Sequence, residues 1–152
     1  MGLSLRGQVL LRAGLRVDNA DERGETALIW AARKGHTATV QALTEAGARV
    51  NHSSLCAVST ALISAAQKGH AATVQALLQA GAAVDQPSSE GYAALSLAIG
   101  NGHKAIALAL LQAGANSELR TREGDSALSY ALRGQHKEVA RLLRANGPDS
   151  ST

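Results

Sequence analysis

One interval governs this chain. The pairs Gly35-His36, Gly69-His70 and Gly102-His103, with Gln135-His136 in the fourth slot, are spaced by 34, 33 and 33 residues. A second ruler runs through Ala13-Gly14, Ala46-Gly47, Ala80-Gly81, Ala113-Gly114 and Asn146-Gly147, and a third through Thr26-Ala27-Leu28, Thr60-Ala61-Leu62, Ala93-Ala94-Leu95 and Ser126-Ala127-Leu128. Whole stretches recur, ARKGHTATVQAL at 32–43 and AQKGHAATVQAL at 66–77. Three rulers with one period mark an array built from one supersecondary unit. A unit this short cannot bury its own apolar face, so copies must stack, each touching mainly its neighbours.

Within each period the pattern predicts helix, tight turn, helix, then an extended loop. Thr26, Thr60 and Ser126 carry side-chain oxygens suited to cap a first helix of about nine residues. Gly35, Gly69 and Gly102 suit the left-handed turn that ends it, and the histidine that follows opens the second helix. Apolar residues recur there at helical spacing: Val40 and Leu43, Val74 with Leu77 and Leu78, Ile106 with Leu110 and Leu111, Val139 with Leu142 and Leu143. The third repeat carries Ala93 where the others carry a capping oxygen. The second loop, VNHSSLCAVST, has one extra residue and Val58 in place of the turn glycine, which predicts a reshaped tip.

The side chains agree with an all-α array. Phenylalanine is absent and the aromatics are only Trp30, Tyr92 and Tyr130. Alanine, leucine and valine fill the core, as closely packed helices require. At 152 residues the chain holds one domain. A net charge of +3 without a long basic run does not by itself call for a polyanion. Cys56 is the single cysteine, which rules out an internal disulfide and suits a reducing compartment. Charged or polar residues interrupt every apolar stretch before the roughly 18 residues a membrane helix needs. The opening, with several arginines and no acid before Asp18, raises a transit peptide. RAGLRVDNADERGETAL nevertheless runs in phase with the later EAGARVNHSSLCAVSTAL, which favours repeat structure. A myristoylation reading fails because Arg6 stands at the Ser/Thr position.

Gly24, Thr26, Leu28, Ala31, Ala32, Gly35, His36, Val40, Leu43, Gly47, Ala48, Val50 and Asn51 resemble the ankyrin-repeat pattern, roughly G-x-T-P-L-H-x-A-A-x-x-G-H, a second helix, then G-A-x-V-N. The resemblance covers about residues 7–147. It departs at Ala27, Ala61, Ala94 and Ala127, which replace the proline, and at Ile29, Ile63, Ser96 and Ser129, which replace the first histidine. It implies an all-α ankyrin solenoid in one domain over 1–147: a half repeat at 1–17, full repeats at about 18–50, 51–84, 85–117 and 118–147, and a disordered tail at 148–152. The half repeat, with Val9, Leu10 and Leu11 on one helix, is expected to fray or to stack on another molecule.

The residues argue against chemistry at the repeated histidines. His36, His70, His103 and His136 occupy equivalent places in stacked repeats, about 8–10 Å apart, whereas zinc needs each ligand nitrogen within about 2.1 Å. Cys56 has His52 near it in sequence but no evident orienting acid. There is no phosphate loop, no paired carboxylate in a recognisable setting and no aromatic-rich basic strand. The chain is therefore expected to be no enzyme and to hold neither metal nor cofactor.

What remains is surface. In the ankyrin family partners lie on the concave face made by first helices and finger loops. The resemblance places Trp30, Arg33, Lys34, Gln67, Lys68, Asn101, Tyr130 and Arg133 there along the helices. Along the fingers it places Glu22, Arg23, Glu25, Cys56, Ser59, Glu90, Tyr92, Arg122, Glu123 and Asp125. The helical strip reads as basic and the finger strip as mixed. The function expected is a protein-interaction module for a protein or peptide partner with an apolar anchor beside acidic residues. Two alternatives stand: a structural segment of a longer array, and an anionic-ligand or nucleic-acid binder on the basic strip, with nucleic acid the less favoured. A monomer is expected, in the cytoplasm or nucleus, with weak end-to-end association as the exception. Asn51 also resembles the hairpin asparagines that an asparaginyl hydroxylase modifies in some ankyrin proteins. Leu43 stands eight residues before it and Val50 one before, with Arg49 replacing the usual acid.

Overall fold

The structure, a computed structural model, describes residues 16–56 and 59–146. The half repeat, its fraying and the tail expected at 148–152 fall essentially outside these residues, as do Ala57 and Val58 of the second finger. Among the described residues there are eight helices in four pairs. The first members are α1 (Ala27–Lys34), α3 (Ala61–Lys68), α5 (Ala94–Gly100) and α7 (Ala127–Arg133). The second members are α2 (Thr37–Glu45), α4 (Ala71–Gln79), α6 (Lys104–Gln112) and α8 (Lys137–Asn146). No strand joins them; the only ladder pairing among the described residues is an isolated bridge between Ala20 and Thr26.

Three of the four first helices start where a side-chain oxygen meets an orphan backbone N–H. Ile29 donates to Thr26 Oγ1 at 3.3 Å and Ile63 to Thr60 Oγ1 at 3.2 Å. In α7, Ser129 donates its N–H to Ser126 Oγ while Ser126 donates to Ser129 Oγ, so the serine at the missing-histidine position closes a capping box. Only α5, with Ala93 before it, lacks a side-chain cap, and there Ser96 Oγ donates instead to the Ala93 carbonyl. The first helices are shorter than expected, eight residues in α1 and α3 and seven in α5 and α7.

The helices stack in two rows, α1, α3, α5, α7 against one another and α2, α4, α6 behind them. Alanine makes the first row close. Ala32, Ala65, Ala66, Ala98 and Ala131 are fully covered, so backbones approach with no bulk between them. Leu28, Leu62 and Leu95 in the first row and Val40, Val74, Leu77 and Leu110 in the second fill the joints. Burying each such leucine or valine contributes about 1.5–3 kcal/mol, shared between the partner helix of the same repeat and the helices of the adjacent ones. Thr73, buried in α4, shares a hydrogen bond with Thr37 Oγ1 of α2 at 2.8 Å.

Two further sets of rungs tie neighbour to neighbour. The ring of His70 covers Gly35 of the repeat before it: a Cβ there would lie 2.5 Å from His70 Nδ1. His70 Nε2 donates to the Arg33 carbonyl at 3.0 Å, and His103 does the same to the Gln67 carbonyl at 3.3 Å, with its ring over Gly69. The carbonyl can only accept, so Nε2 carries the proton. The second set crosses the loops. Asp18 Oδ1 accepts from Arg49 N–H, Asn51 Oδ1 from Ala83 N–H and Asp85 Oδ1 from Asn116 N–H, at 2.7, 2.7 and 2.9 Å.

The fingers close by one repeated bracket. Asp21, Ser88 and Thr121 donate their N–H to the carbonyls of Glu25, Tyr92 and Asp125, four residues on. In the second finger Ser54 pairs with Ser59, five residues on, with the Ser59 N–H returning to Ser54 Oγ. The extra residue therefore lies inside the bracket, at the tip. There Leu55 donates its N–H to the Arg23 carbonyl and lies over Gly24 of the first finger, with its side chain largely exposed.

Candidate functional site

The face made by first helices and fingers gathers the sequence-selected residues into two ends that each carry an arginine–carboxylate pair and a middle that carries none. At the first end Trp30 stands 52% exposed on α1, because its slot faces away from the α1–α3 joint that Leu28 and Ile29 fill. The Lys34 ammonium lies 5.0 Å from its ring centroid, a cation over a π face. Arg33, one turn beyond Trp30, is clamped by both Glu25 carboxylate oxygens. The hydrogen bond to Glu25 raises the guanidinium pKa above its usual range; burial opposes that, and the charges of Glu25 and Asp21 add to it. Asp21 in turn accepts the N–H groups of Arg23 and Glu25.

The far end repeats the device. Arg133 donates to Asp125 at 2.8 Å, from the same repeat positions as Arg33 and Glu25. Its guanidinium carbon also sits 5.7 Å from the Tyr130 ring. Tyr130 meets Tyr92 with centroids 6.3 Å apart and planes tilted by 59°, a favourable aromatic arrangement. Burial pushes the Tyr130 phenol up to about 12, and its hydrogen bond with Tyr92 and the negative charges nearby add to the effect.

These clamps change the charge of the strip. Sequence reading makes Arg33, Lys34, Lys68 and Arg133 a basic strip, but the two arginines are neutralised by acids of their own fingers, eight residues earlier. Lys34 and Lys68 are the strip cations without an ion pair among the described residues. Asn101, the residue after α5, is exposed and donates from Nδ2 to the Leu97 carbonyl. Gln67, Glu22, Arg23, Arg122 and Glu123 are exposed, with the Arg122 N–H reaching the Glu90 carbonyl.

Between the second and third fingers lies a cleft of about 270 Å³. Cys56, Ser59, Gln67, Glu90 and Tyr92 from the sequence reading line it, joined by Ile63, Ser88, Ser89 and Leu97, which that reading missed. Ser59 Oγ and Ser64 Oγ share a hydrogen bond beside it. Leu97 occupies the same repeat slot as Trp30, which was the available signal for it.

His52 commits one ring nitrogen to the Gly24 carbonyl at 2.9 Å. Among the described residues no group of three or more His, Cys, Asp or Glu is placed to hold a metal ion. No described helix is long and apolar enough to cross a membrane. Asn51 is exposed, with its side-chain oxygen engaged as described and its carbonyl accepting from Gln86 Nε2.

A row of helix–turn–helix pairs with bracketed fingers, each copy sealed only by its neighbours, defines an α-helical repeat solenoid. The family model for ankyrin repeats, three copies long, matches residues 7–88 and again 62–152, and the chain belongs to the ankyrin repeat family. Ankyrin repeats are generally protein-interaction modules and typically non-enzymatic. Among curated proteins none matches the chain.

Proposed function

We propose that the chain binds a protein or peptide segment on the concave face of first helices and fingers. The observation that carries this is Trp30, the only tryptophan, held half in solvent beneath the Lys34 ammonium while the rest of the large apolar side chains of α1 are buried. Exposed aromatics beside cations are the commonest hot spots of interfaces. The partner offers an apolar anchor to Trp30 and acidic residues to Lys34 and Lys68, lying across the first three repeats. The anionic-ligand reading has less support, since Arg33 and Arg133 already carry their own carboxylates. A lone cysteine, Cys56, suits work inside the cell, cytoplasmic or nuclear.

The reading of the chain as a segment of a longer array draws on one observation. Leu132 of α7 is 51% exposed, although its repeat equivalent Ile99 is buried by the following helix pair.

The test compares Trp30→Ala with Arg33→Ala/Lys68→Ala, using peptides selected on the protein from a random dodecapeptide display library. Truncating a hot-spot residue costs about 2 kcal/mol or more, so Trp30→Ala is expected to weaken binding at least tenfold and leave the melting temperature nearly unchanged. A Trp30→Ala variant that melts while the charge variant binds normally overturns the proposal.

A further inference from the structure

The clamps at the two ends of the face mark what is missing in its middle. The first and fourth repeats each place a finger acid and a helix arginine eight residues apart, Glu25 with Arg33 and Asp125 with Arg133. The equivalent places in the second and third repeats hold Ser59 with Gln67 and Tyr92 with Gly100. Among the described residues no arginine lines the cleft between the second and third fingers. Yet that cleft carries a carboxylate. Glu90 is the only formally charged residue lining it, and its side chain has no ion pair or hydrogen bond among the described residues.

We propose that this cleft receives one arginine side chain of the bound segment, the partner supplying the guanidinium that the middle repeats lack. This rests on the reading of the face as a peptide-binding surface. Ile63 and Leu97 give the methylene stem an apolar floor. Tyr92 offers a ring face against which a planar cation stacks, and Glu90 accepts a forked, charge-assisted pair of hydrogen bonds. Gln67 and the Ser59 hydroxyl remain as polar neighbours at the edge. An acidic side chain would meet Glu90 as a like charge, and a purely aliphatic one would strip water from its carboxylate with nothing in return. A lysine ammonium can reach Glu90 but neither stacks flat on Tyr92 nor binds in a fork.

The inference also orders the partner. Acidic residues face Lys34 and Lys68 in the first two repeats, and the arginine enters one repeat further along. The bound segment is thus amphoteric, with a basic residue following or preceding its acidic anchor region.

The experiment selects random dodecapeptides on the wild-type chain, on Glu90→Gln and on Glu90→Arg, and maps each bound peptide by backbone amide shifts. The expected peptides shift the amides of Ser88–Tyr92 and of α3 and carry a fixed arginine. Their affinity drops about tenfold or more on Glu90→Gln, drops severalfold when lysine replaces that arginine, and the selection on Glu90→Arg fixes an acid at the same place. Glu90 is exposed, so both variants keep the fold. Peptides that map to this face without a fixed basic residue, or a Glu90→Arg selection that still returns arginine, overturn the inference and leave the binding face standing. A selection that returns no peptide on this face overturns both.

Discussion

Gln135 is where this array carries backbone strain that a single substitution should release. It stands in the slot of Gly35, Gly69 and Gly102, which have φ of 74°, 84° and 77°, and it is forced to φ 60°, the one non-glycine with positive φ among the described residues. The geometry around it is unchanged: the His136 N–H reaches the Ala131 carbonyl at 2.8 Å, as His36, His70 and His103 reach Ala31, Ala65 and Ala98. A residue with a Cβ in the left-handed region costs about 1–2 kcal/mol. Gln135→Gly removes that cost but frees the unfolded chain, which returns about 0.4–1 kcal/mol. The side chain is exposed, so no packing is lost. The net gain is about 0.5–1 kcal/mol, worth about 1–4 °C in melting temperature for a chain of this size. Thermal melts by circular dichroism measure it globally. Hydrogen exchange should place it, with the amides of α8 slowed about two- to fivefold because terminal repeats open on their own. Gln135→Ala keeps the Cβ and should gain nothing. A Gln135→Gly variant that melts no higher than wild type, or an alanine variant that gains as much, refutes the strain argument.

Two other outcomes follow from the local chemistry. Ala93 holds φ −88° and ψ 164°, nearly the angles of Ser126, with Ser96 three residues on as Ser129 is; Ala93→Ser should build the missing capping box and raise stability by about 1 kcal/mol, and a melt that does not rise counts against it. Asn51 is expected to gain one oxygen atom when the chain is co-expressed with an ankyrin-directed asparaginyl hydroxylase, and an unmodified Asn51 peptide in mass spectrometry disproves this.

The period carried the fold because helix caps, turn glycines and apolar spacing are all local signals. What it hid are contacts between residues one repeat apart. Gly35 reads as a helix stop, which it is, but the sterically decisive neighbour is His70 of the next repeat, and no local rule links the two. The same holds for the bonds from Asp18, Asn51 and Asp85 across to the following loop. The Arg33–Glu25 clamp escaped because eight residues is no helical spacing; the finger has to fold back on the helix first. Aligned copies do carry a trace of it, since Asp125 and Arg133 recur at the places of Glu25 and Arg33, and an acid that shadows each arginine marks the strip as partly self-neutralised. Leu97 and Ile63 were passed over in the cleft because aliphatic residues in these helices read as core, and Ile63 is indeed buried except where the cleft opens onto it.

The histidine that covers the preceding glycine gives the array a direction. The first three repeats each offer a bare glycine to the histidine ring of the next copy, while the fourth carries Gln135 in that slot, so the two ends of an excised segment are unlike. A repeat grafted from elsewhere would join correctly only if it brought both halves of this lock, glycine at one face and histidine at the other. Lengthening or shortening such a chain by whole periods conserves every lock but the last, whereas a cut made between Gly35 and His70 joins two surfaces that were never shaped for one another. The unit that can be exchanged is thus a full turn of the pattern, wherever its reading frame is set.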